Sequence, residues 1–259
     1  MADKRDNVSR IKRASPLGTS IFLAVRTLDP FLQYGILARG LADPLLNFLS
    51  LSPSPANGPV VALGLPLQSL TFLGMSTALT IKHIYWVLYI GESEIRPGDG
   101  IAVGVFNSLF NSVNSIISLT TSASALTLSG LTNTFNTTPL SPLFILGTIS
   151  YITGMAIETI SETQRKNFKA NPKNKGKPYT GGLFGWARHI NYGGYTIMRT
   201  GYAIACGGWI YGSLVAAFFF RDFVKRGVPV IDEYCRKRYG TEWEQFRRDV
   251  PYKLIPGIY

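Results

Sequence analysis

Most of the side chains able to do chemistry in this chain lie between Gln164 and Tyr259. Of its 26 Lys and Arg residues, 17 fall from Arg165 onward, interleaved with Trp, Tyr and Phe. Cations among aromatic rings suit a ligand that joins phosphates to flat rings, because Arg and Lys hold phosphate while aromatics stack on bases. Lipid headgroups beside a membrane suit the same mixture, and composition alone does not choose between the two. Other proton-moving groups are His83, Tyr85 and Tyr89, beside Lys82, Trp86 and Glu92, and Glu158, one turn before Glu162. An aromatic belt at a membrane surface also accounts for the first set. Glu158 reads either as a buried proton donor or as a partner for Arg188 or Arg199. The chain has no GxGxxG, Walker loop, HExxH or Cys-His metal spacing, so no metal is expected. The pairs Gly181-Gly182 and Gly193-Gly194 lack the strand context of a nucleotide fold.

The elements that position these residues follow from the charge map. Only 16% of the 259 residues are charged, 12% are aromatic and the mean hydropathy is +0.14, whereas soluble domains are roughly 25% charged. No charge occurs between Asp43 and Lys82, or between Asp99 and Glu158. This excludes a soluble globular domain and a disordered chain and points to a polytopic membrane protein. The net charge of +11 would suggest nucleic acid in a soluble protein; here the membrane explains it better, and no nucleic-acid partner is expected.

Basic clusters at positions 4–13, 165–177 and 221–253 should all face the cytosol under the positive-inside rule. The apolar runs predict spans over 19–40, 59–81, 101–130 and 139–162, then a hairpin of about 187–206 and 209–226 turned by Gly207-Gly208. The expected fold is an all-α transmembrane bundle of about six spans with both termini cytosolic. No cleavable signal is read at the N-terminus. The sequon Asn136-Thr137-Thr138 falls in a lumenal loop, Leu131–Pro139, and Asn7-Val8-Ser9 falls on the cytosolic side. Cys206 and Cys235 lie on opposite sides and should form no disulfide. In the third span Asn107, Asn111 and Asn114 share a helical face, as interhelical hydrogen-bonding groups or as the polar wall of a substrate pocket. Arg26 and Asp29, three apart in the first span, are placed to pair; Arg39 lies at its end.

The last hundred residues resemble the integral-membrane reductase superfamily of C14- and C7-sterol reductases, steroid 5α-reductases, DUF1295 proteins and isoprenylcysteine carboxyl methyltransferases. Gln164-Arg165-Lys166-Asn167-Phe168-Lys169-Ala170-Asn171-Pro172 is similar to the sterol reductases' Q-K-x-x-F-[RK]-x-N-P. Gly182-Leu183-Phe184 and Arg188-His189-Ile190-Asn191-Tyr192 are similar to G-[LW]-[FW] and R-H-P-N-Y. Cys235 to Trp243 and Val250 to Tyr259 are similar to C-K-x-K-Y-G-x-x-W and V-P-Y-[RK]-[IL]-[IF]-P-x-I-Y. The resemblance implies a cytosol-facing NADPH site and a lipid-accessible substrate pocket. By motif position, Arg165 and Lys169 would bind phosphates, and Tyr179 and Phe184 would line the cofactor's edge. Asn191 and Tyr192 would hold its nicotinamide or pyrophosphate end with Arg188 and His189 nearby, and Cys235 and Tyr239 would close the adenine side. The implied reaction is reduction of an electron-poor or protonated double bond, with Tyr85, Glu158 or Tyr192 supplying the proton.

Three positions depart from the pattern. Ile190 replaces Pro, Tyr195 stands where an acid is usual, and Ile231 replaces an Asp beside the adenine, with Asp232 or Glu233 as substitutes. The expected division is a basic cytosolic segment over 1–18, substrate-side transmembrane helices over 19–162 and a reductase-like region over 163–259. The expected activity is NADPH-dependent reduction of a C=C bond in a sterol, steroid or terpenoid-like molecule in the endoplasmic reticulum membrane. Two alternatives are an S-adenosylmethionine-dependent methyltransferase of the isoprenylcysteine type and an isomerase, cyclase or non-reducing relative on the same fold.

Overall fold

Proline opens three of the long helices, where its missing N–H costs nothing and its fixed φ favours the first turn. In the computed structural model, which describes residues 9–51, 59–120 and 141–259, these are α1 (Pro16–Ala38), α4 (Pro97–Ser118) and α5 (Pro142–Ala170). Between them lie the short α2 (Asp43–Phe48), a two-stranded antiparallel ribbon of β1 (Val60–Ala62) and β2 (Leu65–Pro66), and α3 (Leu67–Tyr85), which widens into a π-helical turn over Trp86–Ile90. After α5 come α6 (Ile190–Asp222), a second π-turn over Phe223–Gly227, α7 (Val228–Tyr239) and α8 (Thr241–Asp249). Among the described residues four apolar helical stretches are long enough to cross a membrane: α1, α4, α5 and the run Ile190–Tyr239.

That last run is folded back on itself. Gly208 has φ 77° and ψ −174°, outside the helical region and open to glycine without a Cβ penalty. Residues equidistant from it meet: the Tyr192 and Phe223 rings are 4.6 Å apart and those of Tyr195 and Phe219 5.2 Å, while a Cβ on Gly212 would collide with Ile204. The hairpin read from Gly207-Gly208 is therefore present. The second apolar run differs from expectation: its first residues form the β ribbon, and the helix starts at Leu67. The third run is helical to Ser118; its residues 121–130, the loop Leu131–Pro139 with its sequon, and Asn7-Val8 lie outside the described residues.

The chain forms two compact units. One, the C-terminal unit, comprises residues 149–200 and 214–259; the other, the N-terminal unit, holds the described residues up to 148 together with 201–213. In the N-terminal unit α1 packs on α3 and α4, with Gly18, Gly100 and Gly104 letting backbones approach. The polar residues of this interface bond to one another. Asp29 accepts from Arg26 (3.1 Å), Gln33 (2.9 Å) and Asn111 (2.7 Å), and Arg26 also donates to Ser108 (2.9 Å) and Thr80 (3.1 Å). Ser115 donates to Gln33 (2.8 Å), Asn107 to Val103 O (2.7 Å), and Tyr211 to Asn114 (2.8 Å). Asn111 and Asn114 thus bond between helices while Asn107 bonds within α4, and the Arg26–Asp29 pair forms fully buried. Both cysteines are free and buried.

In the C-terminal unit α5 and α6 touch through glycine. A Cβ on Gly154 would collide with the backbone of Met198 and one on Gly194 would lie 2.8 Å from the backbone N of Glu158. This close contact fixes the C-terminal half of α5 against the start of α6, where the motif residues lie.

Candidate functional site

The C-terminal half of α5 presents Glu158, Glu162, Arg165 and Lys169 at spacings of four, three and four, one helical face. Glu162 is buried and joins two predicted site residues: its carboxylate pairs with Arg165 and accepts from Asn191 Nδ2 at 2.6 Å. The Arg165 guanidinium also rests 5.6 Å from the Phe184 ring. One turn on, Lys169 Nζ donates to Tyr239 Oη at 2.6 Å and lies 5.0 Å from that ring. Arg238 approaches the same ring at 5.7 Å.

Phe184 is delivered by a short 3-10 turn, Gly182–Gly185. Gln164 pins this turn to α5 by accepting from Leu183 N at 3.0 Å. Gly182 has φ +54°, and a Cβ there would strike the Gln164 side chain, so glycine is required twice over. Tyr179 packs between Phe168 (5.0 Å) and Phe184 (5.8 Å). Beneath lies an apolar cluster of Phe184, Ala187, Ile190, Cys235, Trp243 and Phe246. The Trp243 indole N–H in it is buried and has no hydrogen-bond partner among the described residues.

Arg188 and His189 are held by the final segment of the chain. Their backbone N–H groups donate to Tyr252 O (3.0 Å) and Lys253 O (2.7 Å). The Arg188 guanidinium is buried and donates to Val250 O (2.6 Å) and Pro251 O (3.2 Å). Gly193 makes room for the carbonyl of Leu254. His189 Nε2 lies 3.3 Å from Asp232 Oδ1, and Arg247 is 3.7 Å from the other oxygen. An ionised carboxylate only accepts, so Nε2 carries the proton. Burial lowers the His189 pKa from its ordinary value, more than the Asp232 carboxylate raises it, so the ring is neutral at neutral pH. Burial likewise lowers that of Arg188, against the pull of Asp232. Tyr192 stacks between His189 (6.0 Å) and Phe223 (4.6 Å).

The structure therefore brings Arg165, Lys169, Tyr179, Phe184, Arg188, His189, Asn191, Tyr192, Cys235 and Tyr239 into one unit, with Glu158 half-buried on α5. Tyr85 belongs to the other unit, where it stacks on Tyr89 at 5.2 Å. Glu162, Trp243 and Asp232 as a partner of His189 are additions to the predicted set. Glu162 had a signal in its place on the Arg165–Lys169 face, Trp243 in its motif block and Asp232 beside Ile231, but nothing in the sequence pointed to the contact of Asp232 with His189. The departures also find physical explanations. Ile190 donates its N–H to Ala187 O at 3.2 Å, a bond proline lacks, and fills the apolar cluster. Tyr195 accepts from the buried Arg199 at 3.0 Å and lies under its guanidinium at 5.3 Å. Ile231 packs on the cluster, Asp232 turns to His189, and Glu233 pairs at the surface with Lys237 at 2.8 Å. Among the described residues no three His, Cys, Asp or Glu group as a metal site would require.

Residues 105–250, which carry most of this cluster, match the DUF1295 family, described as a protein of unknown function. The chain belongs to the DUF1295 family. Within it, the probable O-methyltransferase ustE of Ustilaginoidea virens is 40% identical over 249 residues, covering 90% of this chain and 86% of that protein. The Delta(14)-sterol reductase erg24 of Schizosaccharomyces pombe is 32% identical over 115 residues, 37% of this chain and 26% of the reductase. The 7-dehydrocholesterol reductase of Danio rerio is 34% identical over 89 residues, 33% of this chain and 18% of the reductase. This DUF1295 chain thus aligns with one relative along nearly its whole length and with sterol reductases over a minor part of theirs.

Proposed function

We propose that this chain is an integral-membrane enzyme that uses NADPH to reduce a C=C bond in a hydrophobic sterol, steroid or terpenoid-like molecule. The observation that carries this reading is the pair Arg165 and Lys169, one turn apart, each cation set against an aromatic ring of the cluster. From Arg165 onward the chain has 17 basic and 6 acidic residues, an excess suited to a dinucleotide bearing several phosphates. The cradle fits such a group in a second respect, since the buried Trp243 N–H is left over as a donor beside Cys235 and Tyr239. When bound, NADPH supplies the hydride.

In this reading Arg165 and Lys169 hold phosphates, Tyr179 and Phe184 line the edge, and Cys235, Tyr239 and Trp243 enclose the adenine. Glu162 positions Arg165 and Asn191. Arg188, spent on the carbonyls of residues 250 and 251, positions His189 and Tyr192. Tyr192, clamped between two rings, supplies the proton, with Glu158 as the other acid in the same unit. The four apolar stretches, the fold-back at Gly208 and the intervening α3 support six crossings with both termini cytosolic, in the endoplasmic reticulum membrane.

A second reading, an S-adenosylmethionine-dependent O-methyltransferase, is favoured by one observation, the likeness to a probable O-methyltransferase matched over 86% of its length. Its cofactor is a sulfonium cation with a single carboxylate and makes less use of a strongly cationic cradle. Thermal shifts in detergent with NADPH, NADH and S-adenosylmethionine separate the two, because a ligand that binds the folded state raises apparent stability. A shift with S-adenosylmethionine and none with NADPH would overturn the reductase reading.

A further inference from the structure

A cavity of about 520 Å³ opens in the N-terminal unit, between the chain leading into α1 and the π-turn that ends α3. One wall is Lys12, Arg13 and Ser15; the other is Trp86, Val87 and Glu92. Its construction is specific. The π-turn is closed by Gly91 N donating to Trp86 O at 2.7 Å, and Gly91 leaves the Trp86 ring room at its side. Such widened turns recur at functional sites.

The entering segment is tied down at several points. Lys12 pairs with Glu92 and Arg13 with the buried Glu94, which also accepts from Ser9 at 3.0 Å and lies 3.5 Å from Arg96. Ser15 accepts from Ile95 N at 2.8 Å, and Glu94 N donates to Ile11 O at 2.9 Å. Of the residues that line the cavity, Lys12 and Arg13 are cations and Glu92 is a carboxylate, so the rim keeps one positive charge. The side chains of Lys12 and Arg13 remain 62% and 68% exposed, with donors to spare. Leu17 and Leu88, one or two residues from lining positions, are 65% and 66% exposed. The cavity therefore combines a singly positive rim, an interfacial Trp and flanking apolar side chains where two helices leave their apolar run.

We propose that this cavity binds the phosphodiester headgroup of a membrane lipid, with the phosphate on Lys12 and Arg13 and the acyl chains along Leu17 and Leu88. A phosphodiester carries one negative charge, which matches the rim, and the apolar flanks suit the chains of a lipid. The proposal is independent of the cofactor reading, since its residues all lie in the other unit.

The test uses the full chain in detergent and three probes: dihexanoyl phosphatidylcholine, dihexanoylglycerol and inorganic phosphate. Dihexanoyl phosphatidylcholine is expected to raise Tm saturably by a few degrees, and the other two to do so far less. Lys12→Gln/Arg13→Gln should abolish the shift. Because that variant also loses two ion pairs, Thr19→Trp serves as the second: it fills the cavity, leaves the ion pairs in place and should abolish the shift while keeping the ligand-free Tm. Undiminished shifts in both variants would overturn the proposal. So would equal shifts with dihexanoylglycerol, which would show apolar binding alone, or with inorganic phosphate, which would show a free-anion site.

Discussion

The buried polar network of α1, α3 and α4 and the Arg165–Lys169 pair of α5 use the same residue types in opposite ways. In the N-terminal unit Arg26, Asp29, Gln33 and Asn111 are buried and bonded to one another across α1, α3 and α4. In the C-terminal unit Arg165 and Lys169 stay at the surface, each against an aromatic ring, with part of their donor capacity left over. A polar network in an apolar interior holds only when its groups are paired. A ligand cradle needs the reverse, donors fixed in direction but not consumed. The contrast teaches that a charged residue in a membrane chain signals structure when its neighbours close around it, and signals binding when rings support it at the surface.

Breaking the closed network should have the largest effect. Arg26→Ala leaves Asp29 buried without its cation and should cost about 3–5 kcal/mol, seen as loss of monodisperse folded protein in detergent. Asn111→Ala removes one of the three donors to Asp29 and should cost about 1–3 kcal/mol, read as a lower Tm. Gly182→Ala forces a Cβ onto φ +54° and into Gln164; it should cost about 1–2 kcal/mol and weaken cofactor binding by releasing Phe184. His189 gives a pH signature. Its folded pKa is lowered, so below its ordinary value, about 6.5, the unfolded chain takes up the proton first. Stability should then fall as pH drops through that value, by at most about 1.4 kcal/mol per pH unit, and His189→Phe should flatten the profile. The smallest stability effect belongs to Arg165→Ala, below about 1 kcal/mol because the guanidinium is partly solvated and the Glu162 carboxylate keeps its bond from Asn191. That variant sharpens the comparison only if cofactor affinity drops while Tm barely moves.

Several features were legible in the sequence for identifiable reasons. The Gly207-Gly208 turn could be read because a kink of this kind needs φ above zero, which only glycine adopts cheaply. The asparagine face could be read because helical period fixes which residues share a side. The start of α3 could not, because Val60 and Val61 are as apolar as a membrane helix while forming a ribbon. The motif blocks named the residues that gather in the C-terminal unit, but the contacts that join them link positions far apart in the chain. Glu162 bridges Arg165 to Asn191, and the final segment grips Arg188 and His189 from more than 60 residues away. Nor does local pattern show that Asp232 faces His189 while Glu233, its neighbour, faces solvent; a helix turn decides that only once α7 is docked.

The central claim is that the C-terminal cradle is built for a phosphate-rich dinucleotide. Equilibrium binding of NADPH to the purified chain and to Arg165→Ala/Lys169→Ala tests it most directly. The native chain should bind NADPH saturably, and the double variant should lose at least tenfold in affinity, about 1.4 kcal/mol, at nearly unchanged Tm. Equal NADPH affinity in both, or binding of S-adenosylmethionine and not of NADPH, would contradict it.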